Sequence, residues 1–217
     1  MPTADLFSTA SSATQTVPAQ RLGAADLAWA TELLGVALAE YPLWAYLQVG
    51  ARGLAATWLL RGLLRFGLRY GAVYANPEHN ALALWLPGRV RATLERLLRV
   101  GLLPGAVWQL GLAGYRRLHH WLKANDWLQQ HSAPLLHQQL LVLAVHPAAR
   151  GRGVGRRLLL ATLAARQPTR QPCCIVTTDA RQLPFFQRLG FQVVGHCPID
   201  AATPTLMDWA LVRYTTT

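Results

Sequence analysis

Apolar and polar positions along this chain change period several times, and each change marks an element. Residues 24–40 carry Leu27, Ala30, Leu34, Ala37 and Leu38 at helical spacing. Tyr41-Pro42 ends that run, because the residue before a proline avoids helical geometry. Residues 43–69 give a second helical stretch, in which Arg52, Arg61, Arg65 and Arg69 interrupt the apolar positions at intervals of four or nine. The simplest place for that arginine face is solvent, and a membrane-surface helix is the sharper alternative. Residues 73–76 and 81–86 read as two strands joined by a polar turn, with Pro87-Gly88 closing the pair. Residues 90–126 read as two helices split near Pro104. Residues 100–115 carry no charge until Arg116, but the run is short for a membrane span and contains a proline, which argues against insertion.

The second half alternates strand and helix. Residues 140–145 form an apolar run whose length suits a buried strand, and Pro147, with no amide hydrogen to donate, closes it. Residues 156–166 are rich in Leu and Ala and predict a helix. Residues 172–178 predict a strand, 179–190 a short helix with Asp179 at its N-cap, and 191–195 and 206–214 the last two strands. A short strand over 16–22 opens the series. Before it, residues 1–15 are rich in Ser, Thr and Ala, without the basic start and apolar core of a signal peptide, and read as a disordered tail. This order predicts an α/β fold, a mixed central sheet with helices on both faces and a helical insertion, as one domain over 16–217.

Composition changes that picture little. At 217 residues and 52% apolar, with a mean hydropathy of +0.19, the chain is long enough for a sizeable core. The net charge of +11 invites a nucleic-acid or membrane-surface partner. Against this, only Lys123 of the 21 basic residues is a lysine, and the arginines are spread along the helices, so no nucleic-acid partner is expected. Cys173, Cys174 and Cys197 are odd in number and lack metal-ligand spacing, so no metal is expected and a reduced, cytoplasmic setting is.

Candidate chemistry concentrates between residues 140 and 166. Strand, glycine-rich turn and helix together make an anion cradle, in which glycine lets the backbone approach a ligand and free amides at a helix start face a phosphate. A dinucleotide turn is disfavoured, since Arg156 takes the last position counted from Gly151. A P-loop is disfavoured by the lack of Lys followed by Ser or Thr. What remains is Arg-x-x-Gly-x-Gly, Arg150 through Gly155, after a strand ending Leu143-Ala144-Val145-His146-Pro147.

That arrangement resembles the pyrophosphate-binding turn of the GNAT acyl-CoA N-acyltransferases. Leu183-Pro184-Phe185-Phe186-Gln187-Arg188-Leu189-Gly190-Phe191 resembles the second signature of that superfamily. Within it, Glu40-Tyr41-Pro42, the Leu143–Pro147 strand end and the Leu183–Phe191 segment are similar to puromycin N-acetyltransferase-like members. The resemblance implies the GNAT fold and acetyl-CoA as co-substrate, with the acetyl group passed directly to a primary amine of a small molecule. It implies that Arg150, Gly151, Arg152, Gly153, Val154, Gly155 and Arg156 hold the pyrophosphate. Leu143, Ala144 and Val145 would pair with the pantetheine arm, and Val145 would stabilise the oxyanion. Gln182 and Phe186 occupy the family's Asn and Tyr positions beside the cofactor. The family's insertion covers the acceptor pocket, which places Trp108, Tyr115, Trp121 and Trp127 as candidate lining.

The sequence departs from the family pattern at the catalytic positions. Phe186 has no proton to give to sulfur, and Val176 stands where a strand glutamate is expected. Loss of a general acid typically costs about 10²–10⁴-fold, although a thiol of pKa about 8.5 also leaves tolerably as thiolate. Thr177, Thr178, His137 or a water could substitute for the missing groups; His137 is the candidate base and Glu40 the candidate attractor of an amine's positive charge. Two functions fit: an N-acetyltransferase, or a GNAT-like acyl-CoA-binding protein with weak or no transfer. A homodimer is compatible with either.

Overall fold

The computed structural model describes residues 19–47, 53–91, 93–102, 105–166, 171–200 and 204–214. The expected tail, the first residues of the expected opening strand, Arg52 and the Pro104 break lie outside them. In chain order the elements are β1 (Gln20–Arg21), α1 (Leu27–Ala37), α2 (Pro42–Leu47), α3 (Leu54–Tyr70), β2 (Ala72–Ala75), β3 (Ala81–Pro87), α4 (Leu94–Arg99), α5 (Ala106–Ser132), β4 (Gln138–Val145), α6 (Val154–Arg166), β5 (Cys173–Thr177), α7 (Leu183–Gln187), β6 (Gln192–Pro198) and β7 (Met207–Arg213). The seven strands lie in the order β1-β2-β3-β4-β5-β7-β6, antiparallel throughout except where β4 and β5 run parallel.

β3 is the spine of the core, buried on both faces. Because successive strand side chains point to opposite faces, Leu82, Leu84 and Leu86 join one apolar cluster and Ala81, Ala83 and Trp85 the other. The first cluster packs under α1, α2 and α3, with Leu118 and Trp121 of α5 at its margin. The second packs under α6 and α7, through Leu158, Leu159, Phe186 and Leu189. Helices therefore cover both faces, as the alternation of elements predicted.

Several boundaries differ from those read in the sequence. The stretch 43–69 is not one helix: Pro42 starts α2, and a separate α3 begins after Gly53, whose extended backbone (φ −75°, ψ 169°) opens it. The insertion is longer than its apolar pattern suggested, because α5 continues to Ser132 on polar residues. Residues 90–126 do hold two separate helices, α4 and α5, as expected, and α5 carries a further break at Gly111, whose φ of 66° lies in the left-handed region. Among the described residues no helix is long and apolar enough to cross a membrane.

Candidate active site

The site starts from a failure of strand pairing. β4 pairs with β3 along its whole length, with an irregularity that leaves Leu141 unmatched. Its pairing with β5 covers only Gln138, Gln139 and Leu140, opposite Cys173, Cys174 and Ile175. Beyond Leu140 the two parallel strands diverge, leaving a cleft between residues 141–145 and the end of β5. The amide of His146 donates to Asn80 O at 2.8 Å, on the β3 side. By the alternation of strand amides, the backbone groups of Leu143 and Val145 then face the cleft. They form a strand edge inside the sheet that β5 leaves unpaired, Val145 O accepting there from Arg150 Nε at 3.4 Å.

At the end of β4 the chain turns into an anion cradle. Gly151 and Gly153 take left-handed φ values of 75° and 72°, which glycine adopts without the Cβ penalty. Gly155 is needed for a different reason. A Cβ there would lie 2.9 Å from Val145 Cγ2, so only glycine lets α6 start this close to the strand. Among the described residues, the amides of Gly151, Arg152, Gly153, Val154, Gly155 and Arg156 donate to no backbone carbonyl. The first such bond belongs to Arg157, donating to Gly153 O at 3.0 Å. Those amides gather at the positive end of the α6 dipole, beside the exposed guanidinium groups of Arg152, Arg156 and Arg157. Beside the turn an open pocket of about 220 Å³ is lined by Asn76, Glu78, Arg152, Val154 and Arg157 among others.

Arg150 departs from its expected part. Its amide donates to Pro147 O at 3.1 Å and so closes the turn before the cradle. Its guanidinium donates through Nη2 to Ala37 O at 2.6 Å and through Nε to Val145 O at 3.4 Å. Arg150 is a brace between α1, β4 and the turn, and its amide is not free for a phosphate.

The opposite wall comes from the end of β5 and the corner between α1 and α2. Tyr41 Oη accepts the amide hydrogen of Thr178 at 2.9 Å. Thr178 Oγ1 donates to Asp208 Oδ1 at 2.7 Å, and Asp208 is fully buried. Burial pushes the Asp208 carboxyl up to about 6, against the pull of the Thr178 hydroxyl and the Trp121 indole beside it. Burial also raises the Tyr41 hydroxyl above its ordinary value, so it carries its proton at neutral pH. Thr177 Oγ1 donates to Gln182 Oε1 at 3.0 Å, which fixes Gln182 at the start of α7 beside the same strand end. Glu40 is exposed next to this corner, within electrostatic reach of Arg181. Of these residues Tyr41 figured in the sequence only as part of a motif and Thr178 as one substitute acid among several; Asp208 went unread, though it left a signal: one carboxylate in the apolar strand Met207–Arg213.

Three sequence expectations need correction. His137 precedes β4, eight residues before Val145, or roughly 26 Å along the strand. It lies at the far end of β4 from the cleft, with Nδ1 on Pro134 O at 2.7 Å and its ring packed under Gly88. It is a buried structural histidine. Phe186 is 2% exposed and packs edge-on against Phe185 and Phe191 in the core. The ring beside Gly155 belongs to Phe185. Of the four insertion aromatics, Trp108 and Trp127 are 89% and 51% exposed, whereas Trp121 reaches the Asp208 wall.

A strand edge opened by a splayed parallel pair, followed by a bare-amide turn at a helix start, is the architecture of the GNAT acyltransferases. The comparisons agree. Residues 111–193 match the family described as acetyltransferase (GNAT) domain. A Corynebacterium glutamicum structure described as histone acetyltransferase HPA2 and related acetyltransferase superposes with a TM-score of 0.61 at 20% identity, covering 92% of this chain and 97% of that one. The Drosophila melanogaster polyamine N-acetyltransferase gives 0.59 at 16% identity, over 91% and 99%. Arylalkylamine N-acetyltransferase 2 of Aedes aegypti gives 0.60 at 14% identity, over 89% and 96%. The fold is the GNAT fold, and with the matching segment it supports an acyltransferase enzyme.

Proposed function

We propose that this protein is an acetyl-CoA-dependent N-acetyltransferase that transfers its acyl group to a primary amine of a small molecule by direct attack. The observation that carries this reading is the pair of cleft-facing backbone units at Leu143 and Val145, continuous with the free amides of residues 151–156. A diphosphate on those amides places the attached pantetheine arm against β4, where it completes the sheet edge as a peptide strand does. The arm meets Val145 first and Leu143 second. The thioester is its far end, so the amide of Leu143, rather than that of Val145, is the one placed to stabilise the oxyanion. Donors preorganised for developing charge usually supply the largest catalytic contribution.

The acceptor approaches from the face covered by α1, α2 and α5, with the nucleotide on the α6 side. Its nitrogen must be neutral to attack. Glu40 at the rim attracts the ammonium form, and a water or a second amine takes the proton. The similar structures named for polyamine and arylalkylamine acceptors accord with an amine acceptor. The finer likeness to puromycin N-acetyltransferase-like members rests on the sequence motifs named above.

Calorimetry with acetyl-CoA, followed by thiol release across a panel of primary amines, tests this reading. We expect binding, and amine-dependent release with at least one acceptor. Gly153→Val, which forces a branched side chain into a left-handed position within the cradle, should reduce acetyl-CoA affinity at least tenfold. Binding without release from any amine would instead favour an acyl-CoA-binding protein without transfer. Failure of the wild-type protein to bind would end both readings.

A further inference from the structure

The family position for the sulfur acid holds Phe186, sealed in the core, so no hydroxyl reaches the cleft from α7 at that position. A hydroxyl does reach it from elsewhere. The amide of Thr178 continues the line of β5 three residues beyond Ile175, the last residue paired with β4. Leu143 lies three residues beyond Leu140, the partner of Ile175, and because one of the three is the bulged Leu141 it stands between the levels of Thr177 and Thr178. Tyr41 Oη, fixed on the Thr178 amide, therefore stands across the cleft roughly level with Leu143. That is the level assigned above to the thioester.

We propose that Tyr41 is the catalytic acid of the transfer, delivering its proton to the coenzyme A sulfur from the α1–α2 corner. The inference rests on the transferase reading given above. Three features of the structure support it. The Tyr41 oxygen accepts the Thr178 amide hydrogen, and the Thr177 and Thr178 side chains lie beside the same hydroxyl, so its place at the strand end is fixed by three neighbouring groups. Pro42 starts α2 immediately after it, and Arg150 braces the end of α1 three residues before Glu40, so the corner is held from both sides. Thr178 is held in turn by Asp208, so the strand end on which Tyr41 rests is itself anchored. Thr178 and Asp208 are positioning residues.

The chemistry balances without another reagent. The amine lone pair forms the C–N bond, and the thioester carbon becomes tetrahedral with its oxyanion on the Leu143 amide. On collapse the C–S bond breaks and its electron pair goes to sulfur, which takes the Tyr41 proton. The nitrogen of the new amide then loses its extra proton to the tyrosinate, directly or through water, and Tyr41 is restored. The products are the amide and free coenzyme A thiol.

Tyr41→Phe removes one oxygen from the corner. We expect kcat to fall about 10- to 100-fold, at the low end for a general acid because a thiolate leaves tolerably, with acetyl-CoA affinity by calorimetry unchanged. A kcat within twofold of wild type would overturn the assignment. Should the variant fold poorly, fluorotyrosine at position 41 keeps every contact while making the hydroxyl more acidic. The alkaline limb of the kcat profile should then move to lower pH; a stationary limb overturns the proposal. A wild-type protein that turns over no amine sinks the transferase reading and this one together, whereas an active wild type with an indifferent Tyr41 sinks this one alone.

Discussion

Arg150 Nη2 donates a hydrogen bond to Ala37 O at 2.6 Å, joining residues 113 positions apart. The donor opens the glycine turn and the acceptor ends α1, so one guanidinium couples the two walls that meet at the cleft. A charged donor on a carbonyl is among the stronger hydrogen bonds, and Val145 O gives the same group a second acceptor.

Arg150→Lys tests whether shape or charge matters there. Lysine keeps the charge but lacks the fork that reaches both carbonyls. The variant should lose about 1–2 kcal/mol in urea unfolding and bind acetyl-CoA more weakly. Unchanged stability and affinity would show that the brace is dispensable.

His137→Gln separates the two ends of β4. Burial holds the His137 imidazole below its ordinary value, so it is neutral in the folded protein. A depressed folded value means that its contribution is present above about pH 6.5 and is lost as pH falls through the folded value. The variant should be less stable at neutral pH, with kcat and KM unchanged. A large fall in kcat alone would return His137 to the reaction.

Asp208→Asn removes a charge that the folded protein holds at a cost. Its folded value of about 6 lies above the ordinary 3.8, so the native state binds the proton more tightly than the unfolded chain. The stability from that proton is present in full below about pH 4 and is lost as pH rises through about 6, an effect of roughly 3 kcal/mol. The asparagine oxygen can still accept from Thr178. Urea unfolding should therefore show the variant gaining on wild type between pH 4 and 7, with a flat difference above. A constant difference across that range would show that Asp208 does not titrate there.

The sequence alone determined the elements whose cause is local. The helical spacing of Leu27, Ala30 and Leu34, the glycines at 151 and 153, and the Pro147 stop are set by backbone sterics and by which face must leave water, and these act within a few residues. They made the strand, turn and helix of the cradle legible, and with them the fold. Tertiary structure decided what depends on distance through space. His137 and Val145 flank the apolar residues of β4 at its two ends, and only pairing tells which end opens. Phe186 and Phe185 are adjacent aromatics, and only packing on Phe191 and Gly155 decides which is sealed away. Tyr41 meets Thr178 across 137 residues, a contact that no local period encodes because its energy arises only once the sheet and the α1–α2 corner are assembled.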